Sequence, residues 1–351
     1  MAKLNLDGHK LSYHPKIVAD FLDGEDIMPL YVEISPSAHC NHHCIFCHYN
    51  YLGHQGLFPQ GRMKSLVEEL ADVGVKSIVF AGTGEPLLHP ETIPVVTHAK
   101  KLGMDVAMST NGGLLKENDL EILAHSLTWI RFSFNGGNAD NYAQIHQAKK
   151  EDYLVVLENI KKLKQQKDAL QSKITIGIQY ILLEPNKDYV VECAQTMKGI
   201  GVDYFVVKYF YDHGENQSGL SNAWLTDEFI STLQTKVKTM TTEKFSFVVR
   251  DKKHLSKDRI YDTCYGLPFI VYIREDGEAY TCFSYQHDKN TSLGNITKQS
   301  FPQIWAEKQK AIDYINSTFN KNNCQPNCRH HQINNFLWEL KHPTVEHVNF
   351  I

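Results

Sequence analysis

The chain has 351 residues, enough for two domains or one large barrel with an appendage and too many for a single small module. Apolar residues make up 42% and charged residues 22%, proportions that support a sizeable core and exclude long disordered stretches. Thirty-six Lys and Arg against 40 Asp and Glu leave a formal charge of −4, which excludes a global attraction to nucleic acid or an anionic membrane.

The N-terminus, MAKLNLDGHKLSYHP, has no apolar signal region, and no stretch approaches 18 consecutive apolar residues, so the expected location is the cytoplasm. Residues 1–29 read as an N-terminal extension. From there β-branched or aromatic runs alternate with amphipathic patterns, predicting strands at 30–35, 76–81, 105–109, 129–134, 174–182 and 204–209. Met63, Leu66, Val67, Leu70 and Val73 line one helix face, and similar helices are predicted at 91–102, 116–124, 140–164, 188–200 and 227–240. Six strand-helix units in this order predict the α/β class, with a partial (β/α)6 TIM-like barrel over 30–250. The rhythm changes from about Phe245. FIVYIREDGEAYTC reads as two strands about a turn at Asp276-Gly277, opening a smaller C-terminal β-hairpin and helix domain over 251–351.

Seven of the eight cysteines fall in two clusters at opposite ends of the chain, a distribution that points to metal rather than disulfides. Cys40, Cys44 and Cys47 stand as C-x3-C-x2-C directly after the first predicted strand. Three thiolates hold a four-iron cubane with one iron left open for a chelating small molecule. A Cys3His zinc site using His39, His42, His43 or His48 is the alternative on these residues alone.

Other polar strings follow the next predicted strands: Gly82-Thr83-Gly84-Glu85-Pro86, then Ser109-Thr110-Asn111-Gly112, then Ser133 and Asn135. In a parallel barrel all of these share the face where reactive groups gather. Glycines let the backbone approach a ligand, and carbonyls beside a carboxylate suit an ammonium group. Ser109, Asn111 and Ser133 are candidates to hydrogen-bond a ribose or carboxylate, and ordinary turns or helix caps are the alternative for each.

With Phe46 before its last cysteine, the first motif resembles the signature of the radical S-adenosylmethionine (SAM) superfamily. The resemblance implies a [4Fe-4S] cluster whose open iron is chelated by SAM. It further implies a flavodoxin- or ferredoxin-type reductant and cleavage of SAM to methionine and a 5′-deoxyadenosyl radical. GTGEP resembles the family's GGEP motif for the methionine amino group, with Thr83 in place of the second glycine. Where relatives carry an arginine for the SAM carboxylate this chain reads HQAKKEDY, so Lys149 or Lys150 stands in or the contact is missing.

Cys264 and Cys282 flank the predicted hairpin, and Cys324 and Cys328 lie in NNCQPNCRHH. Four thiolates close a site, which is then structural or electron-transferring, and a zinc ribbon is the local alternative. The C-x17-C spacing, LGNI at 293–296 and Ile304-Trp305 resemble SPASM and Twitch domains. With only four cysteines available, the resemblance points to the shorter Twitch form and one auxiliary [4Fe-4S] cluster, serving as electron acceptor or as structure.

The expected substrate is a carbohydrate-like small molecule or related polyol, free or nucleotide-linked, undergoing dehydrogenation or epimerisation, on a family-level likeness of LDGHKLSYHP and KHPTVEHVNFI to radical enzymes of sugar pathways. Twenty-nine residues before the first strand are too few for a leader-docking domain. A peptide-modifying oxidase, as in ribosomal-peptide or sulfatase maturation, and a non-catalytic zinc-binding interaction module are the alternatives. Cys193, outside both clusters, is a candidate hydrogen donor or a buried packing residue. Gln179, Tyr180, Lys208 and Tyr209 are candidates to line a polar pocket, with some of them merely finishing the barrel, and His330, His331, His342 and His347 are expected at the surface, with a cover over the barrel mouth as the alternative.

Overall fold

Apolar runs separated by amphipathic helices fold in the only order their spacing permits, strand, crossover helix, parallel strand. The computed structural model describes residues 9–51, 55–211, 219–251, 258–320 and 324–350. Its N-terminal half comprises α1 (Pro15–Leu22), β1 (Tyr31–Ile34), α2 (Arg62–Asp72), β2 (Ser77–Phe80), α3 (Thr92–Lys101), β3 (Asp105–Thr110), α4 (Glu117–Ser126) and β4 (Trp129–Ser133). There follow α5 (Ala139–His146), α6 (Lys150–Ala169), β5 (Thr175–Leu182), α7 (Val190–Ile200), β6 (Tyr204–Tyr209), α8 (Asp227–Met240) and β7 (Ser246–Val249). The C-terminal part holds β8 (Ile270–Ile273), β9 (Glu278–Tyr280), β10 (Ser292–Asn295), α9 (Phe301–Ala306), α10 (Lys308–Thr318) and α11 (His330–Lys341).

Strands β1 to β7 pair in parallel in chain order, the sheet of a partial TIM barrel. Alternation sorts their side chains. Ile78, Phe80, Val106, Met108, Ile130, Phe132, Ile176 and Ile178 pack outward against the helices. Val79, Ala81 and Ala107 meet Tyr31 and Trp129 on the inner face.

Three features go beyond the sequence pattern. The arc has a seventh strand, β7, in register with β6 from Tyr204↔Ser246 to Val207↔Val249. The hairpin strand β8 pairs in parallel with β1, Tyr31↔Ile270 to Ile34↔Ile273, and β9 and β10 follow antiparallel. Val32 and Ile34 of β1 are fully buried, so their backbone groups need strand neighbours on both sides. The buried IVYI run supplies the second one. Third, the helix predicted at 140–164 is two helices, because Gln147 takes the left-handed conformation (φ 46°) and the Lys149 amide donates to Asp152 Oδ2 to open α6.

The described part of the N-terminal extension covers the C-terminal domain. Leu11, Val18 and Ile27 pack with Phe269, Tyr272, Ile333 and Leu337, and Trp305 Nε1 donates to the Ile27 carbonyl.

Candidate metal centres

The loop after β1 is held from two sides. On one, the GTGEP string leans against residues 35–39: the Thr83 amide donates to Ser35 Oγ (3.0 Å) and the Glu85 amide to the His39 carbonyl (2.9 Å). Only glycine fits at position 84, where a Cβ would stand 2.3 Å from the His39 carbonyl oxygen and 2.6 Å from that of Ser37. On the other side the end of α5 pairs with the loop, His43 N to His146 O and Ile45 N to Ile145 O, each 3.0 Å. The Cys47 amide closes a turn onto the Cys44 carbonyl.

Within this frame the His42 amide donates to Cys40 Sγ (3.5 Å), and Cys44 Sγ lies 3.3 Å from His146 Nδ1. Phe46 stands edge-on to His146, ring centroids 6.3 Å apart. Burial pushes the Cys40 thiol up to about 11, and it pushes Cys44 well above the ordinary thiol range, with Cys47 and then Cys40 adding to the shift. Such thiols stay protonated until a cation offsets the cost, so cluster assembly releases protons here.

Glu85 does not stand open. It is 2% exposed, its Oε1 accepts from Thr110 Oγ1 (2.6 Å) and the Leu87 amide (3.2 Å), and its Oε2 from the Asn111 amide (2.8 Å). Burial raises its pKa despite these bonds. It locks the ends of β2 and β3 together, with Pro86 starting the next turn. Asn111 Nδ2 in turn donates to Asn41 Oδ1 (2.7 Å) beside Cys40. Thr83 Oγ1 lies 2.6 Å from Glu275 Oε2 and 2.6 Å from Ser35 Oγ, linking the motif to the hairpin. Thr83→Val removes a donor from buried Glu275 and lowers stability by about 1–3 kcal/mol in denaturant unfolding of the reconstituted protein, with iron content unchanged.

The inner face of the sheet carries Ser109, Arg131, Ser133 and Gln179 in adjacent registers, Ser109↔Arg131 and Ser133↔Gln179. Tyr180 and Tyr209, expected beside Gln179 and Lys208, instead face the helices in the main core, since neighbours in a strand point to opposite faces. Cys193 on α7 is 1% exposed in that same outer core with Val190, Ala194 and Met197, a packing position and no place for a hydrogen donor to substrate. Lys149 is exposed before α6, and Lys150 is engaged with Asp140.

The second thiol set gathers from three segments. Cys264 is raised to about 12 by burial, with Cys282 and Cys324 contributing, and Cys282 is raised to about 11, with Cys324 contributing. The neighbouring Cys328 thiol, with Arg259 assisting, lowers the Cys324 pKa, while Cys324 and burial raise that of Cys328. Asn334 Nδ2 donates to Cys264 Sγ (3.2 Å), and Arg259 Nη2 to the Gln325 carbonyl (3.0 Å). His330, expected at the surface, is buried because α11 packs inward: its Nδ1 is 3.8 Å from Cys328 Sγ and burial lowers its pKa to about 4. Next to Cys328, Arg329 reaches the barrel interior, donating to Tyr31 Oη (2.7 Å) and pairing with Glu33.

Three thiols and four thiols are donor sets that an iron-sulfur cubane takes. One tetrahedral zinc with bonds of about 2.3 Å draws its sulfurs to within about 3.8 Å of each other. Among the described residues the set of three metal-type donor atoms that lie within 4.8 Å of one another is His42, Cys44 and His146, and neither thiol set meets that spacing.

Residues 34–197 match the family model described as the Radical SAM superfamily, and residues 264–330 that of an iron-sulfur cluster-binding domain, SPASM. The chain carries a radical SAM domain and, in its C-terminal region, a SPASM iron-sulfur cluster domain. Its cofactors are SAM and two [4Fe-4S] clusters. This radical SAM protein is 24% identical over 323 residues, 85% of each chain, to the tungsten-containing aldehyde ferredoxin oxidoreductase cofactor-modifying protein of Pyrococcus furiosus. It is 32% identical over 115 residues, 31% of this chain and 24% of the relative, to the S-adenosylmethionine-dependent nucleotide dehydratase of Lacinutrix mariniflava. Its fold is shared with Streptococcus suis SuiB bound to SAM (TM-score 0.67, 18% identity, 92% of this chain and 76% of that one), a protein also solved with its precursor peptide SuiA. No helix among the described residues is long and apolar enough to cross a membrane.

His146, Glu275, Arg131 and the Glu33–Arg329 pair belong to none of the sequence motifs by residue type. His146 sits inside HQAKKEDY beside the two lysines, and Arg329 follows Cys328 directly. A period-2 reading of strands one and four would have put Glu33 and Arg131 on the inner face.

Proposed function

We propose that this radical SAM enzyme abstracts hydrogen from a nucleotide-linked sugar or related small polyol and releases a dehydrogenated product. The observation that carries this reading is Arg131. It lies on the inner face, its Nε and Nη2 3.4 and 3.3 Å from Ser109 Oγ, its guanidinium 5.4 Å from the Trp129 ring centroid, with no carboxylate partner among the described residues. Gln179 Oε1 nearby is buried and unpartnered. An arginine fork with an unpartnered amide near it suits a phosphate beside a polyol. The nucleotide dehydratase relative, whose name states a nucleotide substrate, supports the same class.

In this reading residues 30–250 bind SAM and residues 251–351 hold the auxiliary cluster. Cys40, Cys44 and Cys47 hold the catalytic cluster, which with SAM supplies hydrogen-atom abstraction when bound. Backbone carbonyls of Gly82, Thr83 and Gly84, fixed by Glu85 and Pro86, receive the SAM ammonium. Ser109, Asn111 and Ser133 hydrogen-bond its ribose and carboxylate, Phe46 walls its site, and Lys149 meets the carboxylate because Lys150 is engaged with Asp140. Cys264, Cys282, Cys324 and Cys328 close the auxiliary cluster, which suits electron acceptance. Cys193, buried in the outer core, leaves epimerisation without its thiol donor. A flavodoxin- or ferredoxin-type protein supplies the electron.

The test is anaerobic incubation of the reconstituted enzyme with SAM, dithionite and a panel of nucleotide sugars, free sugars and a short peptide. Substrate-dependent 5′-deoxyadenosine together with a loss of two hydrogens from a nucleotide sugar is the expected result. The same mass loss from the peptide alone overturns this substrate class in favour of a peptide-modifying oxidase.

A further inference from the structure

We infer that His146 is a positioning residue for the catalytic cluster, its Nδ1–H donating to the Cys44 sulfur and so raising the cluster's reduction potential. This rests on the reading that Cys40, Cys44 and Cys47 hold that cluster. His146 ends α5 with 0% exposure, and its Nδ1 is 3.3 Å from Cys44 Sγ. The far side of the ring decides which nitrogen carries the proton. Nε2 is 3.1 Å from the Asn135 backbone nitrogen and 3.2 Å from Asn135 Nδ2. A backbone N–H can only donate, so Nε2 is bare and the single ring proton sits on Nδ1, toward sulfur. The ring cannot swing away, because Tyr142 stacks on it at 4.1 Å and 19°. Its own carbonyl meanwhile holds the thiol loop through the His43 amide.

The same geometry argues against ligation. His42, Cys44 and His146 bring three donor atoms within 4.8 Å, but a proton on Nδ1 leaves His146 no lone pair toward a shared ion. What remains is a hydrogen bond to a ligand sulfur. Such a bond draws charge from the thiolate and favours the reduced, more negative cluster.

The experiment is an EPR-monitored reductive titration of anaerobically reconstituted wild type, His146→Leu and His146→Asn, the catalytic signal being identified by its change on adding SAM. Asparagine keeps an N–H near the place of Nδ1, and leucine does not. In His146→Leu the reduced-to-oxidised ratio of the catalytic cluster at a fixed potential falls about tenfold, about 59 mV for a one-electron couple. The auxiliary cluster and total iron stay unchanged, and His146→Asn stays near wild type. Equal potentials in wild type and His146→Leu at full iron content overturn the inference, as do equal shifts or equal iron loss in both variants. A wild type with no SAM-responsive cluster overturns instead the ligand reading beneath it.

Discussion

Cys44→Ala abolishes reductive cleavage of SAM and lowers iron and acid-labile sulfide from about eight to about four of each per chain, the stoichiometry of two cubanes reduced to one. The sulfur of Cys44 sits between Cys40 and Cys47 in a loop pinned by the end of α5 on one side and GTGEP on the other. Two remaining thiols leave a cubane with two irons lacking protein sulfur, and the loop holds no further cysteine to replace the lost one. The four-thiol set lies in separate segments and keeps its own iron. Iron and sulfide analysis with mass-spectrometric measurement of 5′-deoxyadenosine checks both parts. Retained cleavage refutes the assignment of the three cysteines, and zinc in place of iron in the wild type restores the interaction-module reading.

Gly84→Ala damages the protein for a different reason, and no ligand is needed to see it. The added methyl would meet the carbonyl oxygens of His39 and Ser37 at 2.3 and 2.6 Å, main-chain atoms that cannot rotate aside as a side chain would. To admit it, the segment entering Cys40 must move off the β2 loop, breaking the Glu85 N to His39 O bond. Overpacking of this kind costs about 3 kcal/mol. Denaturant unfolding reads that loss, and incomplete loading of the catalytic cluster accompanies it, with the four auxiliary irons retained. Wild-type stability in the variant would show that the two loops are not wedged together as described.

How much of this was legible before folding depends on whether the signal is local. The six strands β1 to β6 and most of the helices show as period-2 and period-3.6 patterns, because each buries one face against a neighbour of fixed geometry. Seven cysteines at metal spacings likewise need no tertiary information to be noticed. Helices α5 and α6 read as one, since the amphipathic pattern runs through Gln147 and nothing in that residue type announces a left-handed turn. Glu85 read as a carboxylate offered to a ligand. Its three donors come from Leu87, Thr110 and Asn111, two of them about 25 positions away, a separation at which sequence gives no hint of contact.

By itself the sequence determined the α/β alternation, the two sets of thiols and the shared edge on which the polar strings lie. These follow from residue type and spacing, which act over a few positions. Only the tertiary structure decided that β8 completes the sheet beside β1, that Cys193 is enclosed in the outer core while Arg131 faces inward, and that His146 turns one particular nitrogen to Cys44. Each of those depends on atoms far apart in the chain meeting within a few ångströms, and hydrogen-bond direction and steric exclusion exist only once they have met.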